Sequence, residues 1–208
     1  MTRGRYAMSK NLYDGILRFD GTFRPYQQRV LDRAGDYLKD GRVHIVAAPG
    51  SGKTTLGIEL IRRLGEPALV LSPRLVIRDQ WLDRIREAFL QPDCEAALSC
   101  DLKKPGLITS VTYQALFSAV TRYKGKLSAE DEGEEENDDP AENVDFSGFD
   151  LIAVMRRAGV RVLCLDECHH LRSEWWQALE TFTAAMADAG LAIIALTANA
   201  FDEDREHA

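Results

Sequence analysis

The 208 residues predict an α/β fold, a parallel sheet buried by helices on both faces. Two observations carry this. Short, nearly continuous apolar runs rich in branched side chains alternate with amphipathic stretches of helical period, which is the pattern of strands covered on both sides. A glycine-rich loop also sits between the first such run and the helix that follows it. The opening residues show no strong period and are read as an N-terminal extension over 1–22, with a single domain over 23–208. Pro25 starts a helical pattern, YQQRVLDRAGDYLKDG, whose apolar Val30, Leu31, Ala34, Tyr37 and Leu38 recur at spacings of three and four, with Gly41 as its stop. Five strands are expected after it, in VHIVAA, ALVLSP, LITSV, RVLCLDE and LAIIALTA. The intervening helices are IELIRRLG, LVIRDQWLDRIREAFL, LIAVMRRAG and SEWWQALETFTAAMADAG. Right-handed crossovers between parallel strands bring every strand's C-terminal end to one edge of the sheet, where ligands of such sheets bind. The residues just after each strand therefore matter most.

Composition excludes several classes. Hydrophobic residues make up 45% and charged residues 28%, which is ordinary for a globular chain able to bury its own core. The longest apolar run, near Leu191–Ala198, is too short to cross a bilayer, which takes ~20 residues. The N-terminus shows no secretory pattern, so a cytoplasmic location with its four cysteines as reduced thiols is expected. The net charge of -7 is unevenly distributed: residues 1–127 hold 21 Lys+Arg against 13 Asp+Glu, whereas residues 128–150 hold 11 acidic residues and no basic one. The stretch at about 128–147 has too little apolar surface to offset its ordering entropy and reads as a disordered acidic insertion. A basic first part is compatible with a polyanionic partner and equally with an ordinary solvated surface.

Ala47-Ala48-Pro49-Gly50-Ser51-Gly52-Lys53-Thr54 fits the phosphate-binding loop pattern, with Ala47 in place of the first glycine. Small residues let backbone N–H groups curl around phosphate oxygens, and the helix that follows turns its positive end toward the same anion. Pro49, Gly50, Ser51, Gly52, Lys53, Thr54 and Thr55 are thus the expected ATP-binding residues. Lys53 would reach the β- and γ-phosphates, and the Thr54 hydroxyl would ligate Mg2+. An acid at the end of a second buried strand should complete such a site, and VLCL is followed by Asp166 and Glu167. Asp166 would hold the magnesium and Glu167 would act as general base on the attacking water.

Asp166-Glu167-Cys168-His169, extended by His170, resembles the DExH box of superfamily two helicases and translocases, in the type III restriction and excision-repair-like branch. Further segments resemble the family's motifs in order. Arg24-Pro25-Tyr26-Gln27 is similar to the upstream glutamine motif, which implies that Gln27 reads the adenine edge. Leu71-Ser72-Pro73-Arg74-Leu75, with Gln80 and Trp81 following, is similar to motif Ia. The stretch from Thr109 through Thr112-Tyr113-Gln114 is similar to the next nucleic-acid-facing motif, and Leu196-Thr197-Ala198 to motif III. The resemblance implies a RecA-like fold and a DNA-dependent ATP hydrolase, with Arg74, Thr109 and Tyr113 toward nucleic acid, DNA more than RNA. It implies that His169 and Thr197 couple hydrolysis to movement. It also implies a second RecA-like domain, absent from these 208 residues and supplied as a further domain or as a partner chain; no membrane is expected. The alternative expectation is a truncated or split nucleotide-dependent binding module with little catalysis of its own.

Overall fold

The computed structural model describes residues 11–121 and 145–198. Six parallel strands form one sheet: β1 (Arg42–Val46), β2 (Ala68–Ser72), β3 (Leu98–Ser99), β4 (Ile108–Thr112), β5 (Val162–Asp166) and β6 (Ala192–Thr197), in the order β1-β6-β5-β2-β4-β3. Every residue of β2, β4 and β5 is buried. That is why these strands read as unbroken apolar runs, while β1 at the sheet edge alternates.

The helices are α1 (Pro25–Asp32), α2 (Ala34–Tyr37), α3 (Lys53–Leu64), α4 (Leu75–Ala88), α5 (Tyr113–Thr121), α6 (Leu151–Arg157) and α7 (Ser173–Ala185). Successive side chains of a strand point to opposite faces, and the two cores follow that parity. Val70 and Cys164 pack with Leu56, Ile61, Trp81 and Ile85 of α3 and α4. Leu71, Leu163 and Leu165 pack with Leu116, Met155, Leu179 and Phe182 of α5, α6 and α7. Asp166 continues the Val162–Cys164 row, so it faces the side of the sheet that carries α3 and α4. No helix among the described residues is long and apolar enough to cross a membrane.

Three details depart from the sequence reading. The single helix expected from Pro25 breaks at Arg33 (φ -108°, ψ 7°) into α1 and α2, where Gly35 weakens the helical run. The two-residue β3, after a tight turn at Glu95–Ala97, is too short to show any period. Residues 11–19, expected outside the domain, pack into its core: Tyr13 and Leu17 are buried against it. The Tyr13 hydroxyl is shared between Glu66 O (2.9 Å) and Leu107 O (3.0 Å), Asn11 Nδ2 donates to Arg62 O (2.9 Å), and Leu17 bridges to Leu90. Of the acidic insertion expected at about 128–147, only residues 145–147 lie within the described residues.

Candidate nucleotide site

The loop between β1 and α3 takes its shape from two glycines. Gly50 (φ 70°) and Gly52 (φ 93°) lie in the left-handed region, where a Cβ is strained. A Cβ on Gly52 would also come within 2.7 Å of Gln27 Nε2. Three consecutive loop carbonyls are tied to the segment that starts α1: Arg24 Nη1 donates to Gly50 O (2.8 Å), the Tyr26 hydroxyl to Ser51 O (2.9 Å) and Gln27 Nε2 to Gly52 O (2.9 Å). In a trans peptide C=O and N–H point opposite ways, so anchoring Ser51 O and Gly52 O turns the N–H groups of Gly52 and Lys53 away from α1. The first N–H groups of α3 have no helical acceptor, so the cradle is ready for an anion. The Ser51 hydroxyl is buried without a protein partner.

Gln27, expected at the adenine edge, is 3% exposed, and Oε1 accepts from the Arg24 N–H at 2.7 Å while Nε2 donates to Gly52 O at 2.9 Å. Both ends of its amide are engaged within the chain, and the residue braces the phosphate loop.

In the sheet order, β6 separates β1 from β5, so the loop and the acid pair flank the end of one strand. Lys53 is buried at the start of α3. Its ammonium donates to Ala47 O at 3.0 Å and lies 3.4 Å from Glu167 Oε1. Glu167 has a left-handed backbone (φ 47°, ψ 45°), a conformation that costs a non-glycine residue energy and recurs at functional sites. Its other oxygen, Oε2, accepts from the Ala198 N–H (3.2 Å) and lies 3.4 Å from His169 Nδ1, which in turn is 2.7 Å from Thr197 Oγ1. The structure thus joins Lys53, Glu167, His169 and Thr197 in one polar chain. Burial pushes the Asp166 carboxyl above the usual carboxylate range and the neighbouring Glu167 adds to this, while a hydrogen bond from Trp81 opposes it.

A cleft of about 420 Å³ opens at the Lys53–Glu167 end of these contacts. Pro49, Gly50, Gly52, Lys53, Thr54 and Thr55 form one wall and Asp166 with Glu167 the floor. Ile77, Gln80 and Arg84 of α4 form the other wall. Arg84 Nε donates to Thr55 Oγ1 at 3.0 Å. The α4 wall is a contribution that sequence reasoning missed; its signal is the spacing 77, 80, 81, 84, one helix face carrying a glutamine and an arginine among apolar residues. The groups present fit a magnesium nucleotide. Thr54 and Asp166 line the same cleft and offer hard oxygen donors, which suit Mg2+ held partly through phosphates and water. A cation beside the buried Asp166, whose ionised form is disfavoured by its surroundings, would relieve it.

The expected nucleic-acid residues separate. Arg74 is exposed at the N-terminus of α4, on the C-terminal edge of the sheet. Thr109 and Tyr113 are withdrawn from the surface. Thr109 is fully buried in β4, its hydroxyl accepting from the Gly106 N–H at 3.1 Å. Tyr113 is 1% exposed and donates to Asp166 O at 3.0 Å; burial raises its phenol's pKa. Strand and helix packing took both residues, so neither can meet a polynucleotide in this arrangement.

Known proteins are similar to this chain. A family model described as "Type III restriction enzyme, res subunit" matches residues 20–200. The chain belongs to this family. It is a DExH-type helicase first domain. "Putative helicase 055L" of Frog virus 3 (isolate Goorha) is 46% identical over 63 residues, 30% of this chain and 15% of that protein. "Putative ATP-dependent RNA helicase QP509L" of an African swine fever virus isolate is 29% identical over 103 residues, 49% of this chain and 20% of that protein. The matched stretches are thus a small part of these relatives' length. Among solved structures, a "hypothetical ATP-dependent RNA helicase from Sulfolobus tokodaii" superposes with a TM-score of 0.55 at 15% identity, covering 86% of this chain and 47% of that one. A chain of a "CRISPR RNA-guided surveillance complex" superposes with a TM-score of 0.52 at 18% identity, covering 84% and 18%. These likenesses show the fold, a RecA-like α/β domain, which this member of the res-subunit family builds around its phosphate loop.

Proposed function

We propose that this domain binds ATP with magnesium and hydrolyses it to move nucleic acid, in concert with a second RecA-like domain. The observation that carries the reading is the convergence of Lys53, Asp166 and Glu167 on one glycine-built loop. Thr54 and Asp166 would hold the metal, which when bound neutralises phosphate charge. Lys53 and the N–H groups at the start of α3 would grip the phosphates. Lys53 is paired with Glu167 at 3.4 Å. A γ-phosphate offers that ammonium a stronger partner and releases Glu167 to take a proton from water as the water attacks phosphorus, giving ADP and inorganic phosphate. His169 and Thr197 would pass the change to the strand-end loop and to nucleic acid near Arg74. DNA is the favoured substrate because the family is one of restriction subunits.

The test is calorimetry of Mg·ATP with the wild type and Lys53→Ala, then turnover with and without single- and double-stranded DNA and RNA. The wild type should take up nucleotide and Lys53→Ala should not. Glu167→Gln should bind but turn over roughly 10²–10⁴-fold more slowly, the usual worth of a general base. An arginine from another domain typically contributes ~10³–10⁵ in rate, so unaided turnover should be slow. No nucleotide uptake by the folded wild type would sink the reading. Turnover that ignores Glu167→Gln would favour a binding module.

A further inference from the structure

Trp81 is fully buried on α4, yet its indole does more than fill space. Nε1–H donates to Asp166 Oδ2 at 2.6 Å, linking residues 85 positions apart. The far edge of the ring is wedged against the phosphate-loop helix: a Cβ on Gly57 would stand 2.8 Å from Trp81 Cη2. The same helix face carries Ile77, Gln80 and Arg84 into the nucleotide cleft. One side chain thus touches the helix that presents Lys53 and Thr54 and the carboxylate that stands opposite them.

We propose that Trp81 is a positioning residue that sets Asp166 for the metal. The proposal rests on the reading of Asp166 as the magnesium-holding carboxylate. A carboxylate at the end of a strand can rotate about its last torsion, which is broad. An N–H that takes Oδ2 in a water-poor setting stops that rotation and presents Oδ1 to the cleft. The glycine at position 57 lets the indole come close enough to do this. Outer partners that orient a ligand commonly account for roughly 10–100-fold in metal affinity.

The test compares ATP affinity in Mg2+ with ATP affinity in EDTA, by calorimetry on the 208-residue chain. In the wild type Mg2+ should tighten binding. Trp81→Phe keeps the ring and removes the N–H; it should lose roughly 10–100-fold of the Mg2+-dependent gain while binding metal-free ATP as the wild type does. An equal loss in both conditions, or none, overturns the proposal. A wild type that shows no Mg2+-dependent gain overturns the reading of Asp166 as well, so the two failures are told apart. Should Trp81→Phe not fold, the indole N–H resonances of the wild type decide. Trp175→Phe and Trp176→Phe assign the Trp81 signal by elimination. That signal should shift on adding Mg·ATP and not on adding ATP in EDTA, and a signal indifferent to Mg·ATP overturns the proposal.

Discussion

His169 Nδ1 and Thr197 Oγ1 lie 2.7 Å apart, 28 residues from one another in the chain, at the ends of neighbouring strands. The direction of that hydrogen bond follows the imidazole tautomer. Its position is fixed either way, because Glu167 Oε2 stands 3.4 Å from the same nitrogen and accepts the N–H of Ala198, the next residue after Thr197. Glu167, the proposed general base, and the end of β6 are therefore held by the same few atoms, and movement of one must be felt by the other.

Thr197→Val tests this link. Valine matches the shape of threonine without the hydroxyl, and the site is fully buried, so the stability cost should be about 1 kcal/mol, the net worth of one hydrogen bond. Affinity for Mg·ATP should stay near that of the wild type, and stimulation of turnover by nucleic acid should fall. Titrating DNA against steady-state ATPase measures both. A variant stimulated as strongly as the wild type would leave Thr197 as a plain strand residue.

Asp166→Asn should make the nucleotide-free protein more resistant to heat near pH 7. Burial raises the Asp166 pKa, so the folded state binds a proton more tightly than the unfolded one, and the ionised carboxylate lowers stability above its folded pKa. As pH falls through that pKa the wild type takes up the proton, and the gap to the neutral variant should close. Asparagine retains an oxygen to accept from Trp81. Melting temperatures across pH 4–8 check the sign, which would be refuted by a gap that widens in acid.

Gly57→Ala should damage the site from behind. The added methyl meets Trp81 Cη2 at 2.8 Å and Leu196 Cδ1 at 2.9 Å. Overpacking of this kind costs about 1–3 kcal/mol. Thermal unfolding should register that loss. Because the indole must shift, the variant should also bind Mg·ATP more weakly than the wild type, which an ordinary helix-favouring Gly→Ala change would not cause.

Much of this architecture can be read along the chain, because burial on both faces forces strands such as β2 and β5 to be apolar throughout. The phosphate loop is legible because its glycines answer to backbone geometry that few other residues adopt. Lys53 and Glu167 can be paired from the order of strands and helices alone, since parallel strands deliver their ends to one edge. The Trp81–Asp166 contact is not legible: a tryptophan on an amphipathic helix looks like core, and only the packing of α4 over β2 and β4 brings its N–H to the acid at the end of neighbouring β5. Thr109 and Tyr113 fail in the opposite sense. Motif position implies a surface, and the pleat of β4 and the packing of α5 turn them inward. Gln27 lies in the neighbourhood its motif implies, but no sequence pattern shows which of two partners an amide will choose.

Glu59, on the buried side of α3, holds Arg62 and Arg63 at 2.8 Å each, and Arg63 Nη1 reaches on to Leu31 O at the end of α1. Burial alone would raise the Glu59 pKa, but hydrogen bonds from the two arginines outweigh it and the net shift is downward. A depressed folded pKa contributes stability that is present above the unfolded value of 4.5 and is lost as pH falls through the folded pKa. Glu59→Gln should cost about 1–3 kcal/mol near pH 7, as for hydrogen bonds to charged groups. The difference from the wild type should shrink in acid below pH ~4.5. Denaturant midpoints at pH 7 and pH 3.5 measure it.

Tyr13 ties the segment before residue 23 to the sheet. Its ring is buried with the core of α3 and α4, and its hydroxyl serves the carbonyls of Glu66 and Leu107, which precede β2 and β4. Those strands are neighbours, so one phenol fastens the N-terminal edge of the sheet at the end opposite the nucleotide cleft. Tyr13→Phe keeps the ring and takes the hydroxyl donor from Glu66 O, while Leu107 O keeps the Ala68 N–H, a loss of about 1 kcal/mol. Nucleotide affinity should be unchanged, because nothing in the cleft touches this end. Removing residues 1–22 takes away Leu17 and Phe19 as well, uncovering the C-terminal end of α4, and should leave a chain that does not melt cooperatively. A truncated chain that melts and binds Mg·ATP like the full one would restore the boundary at residue 23 that periodicity suggests.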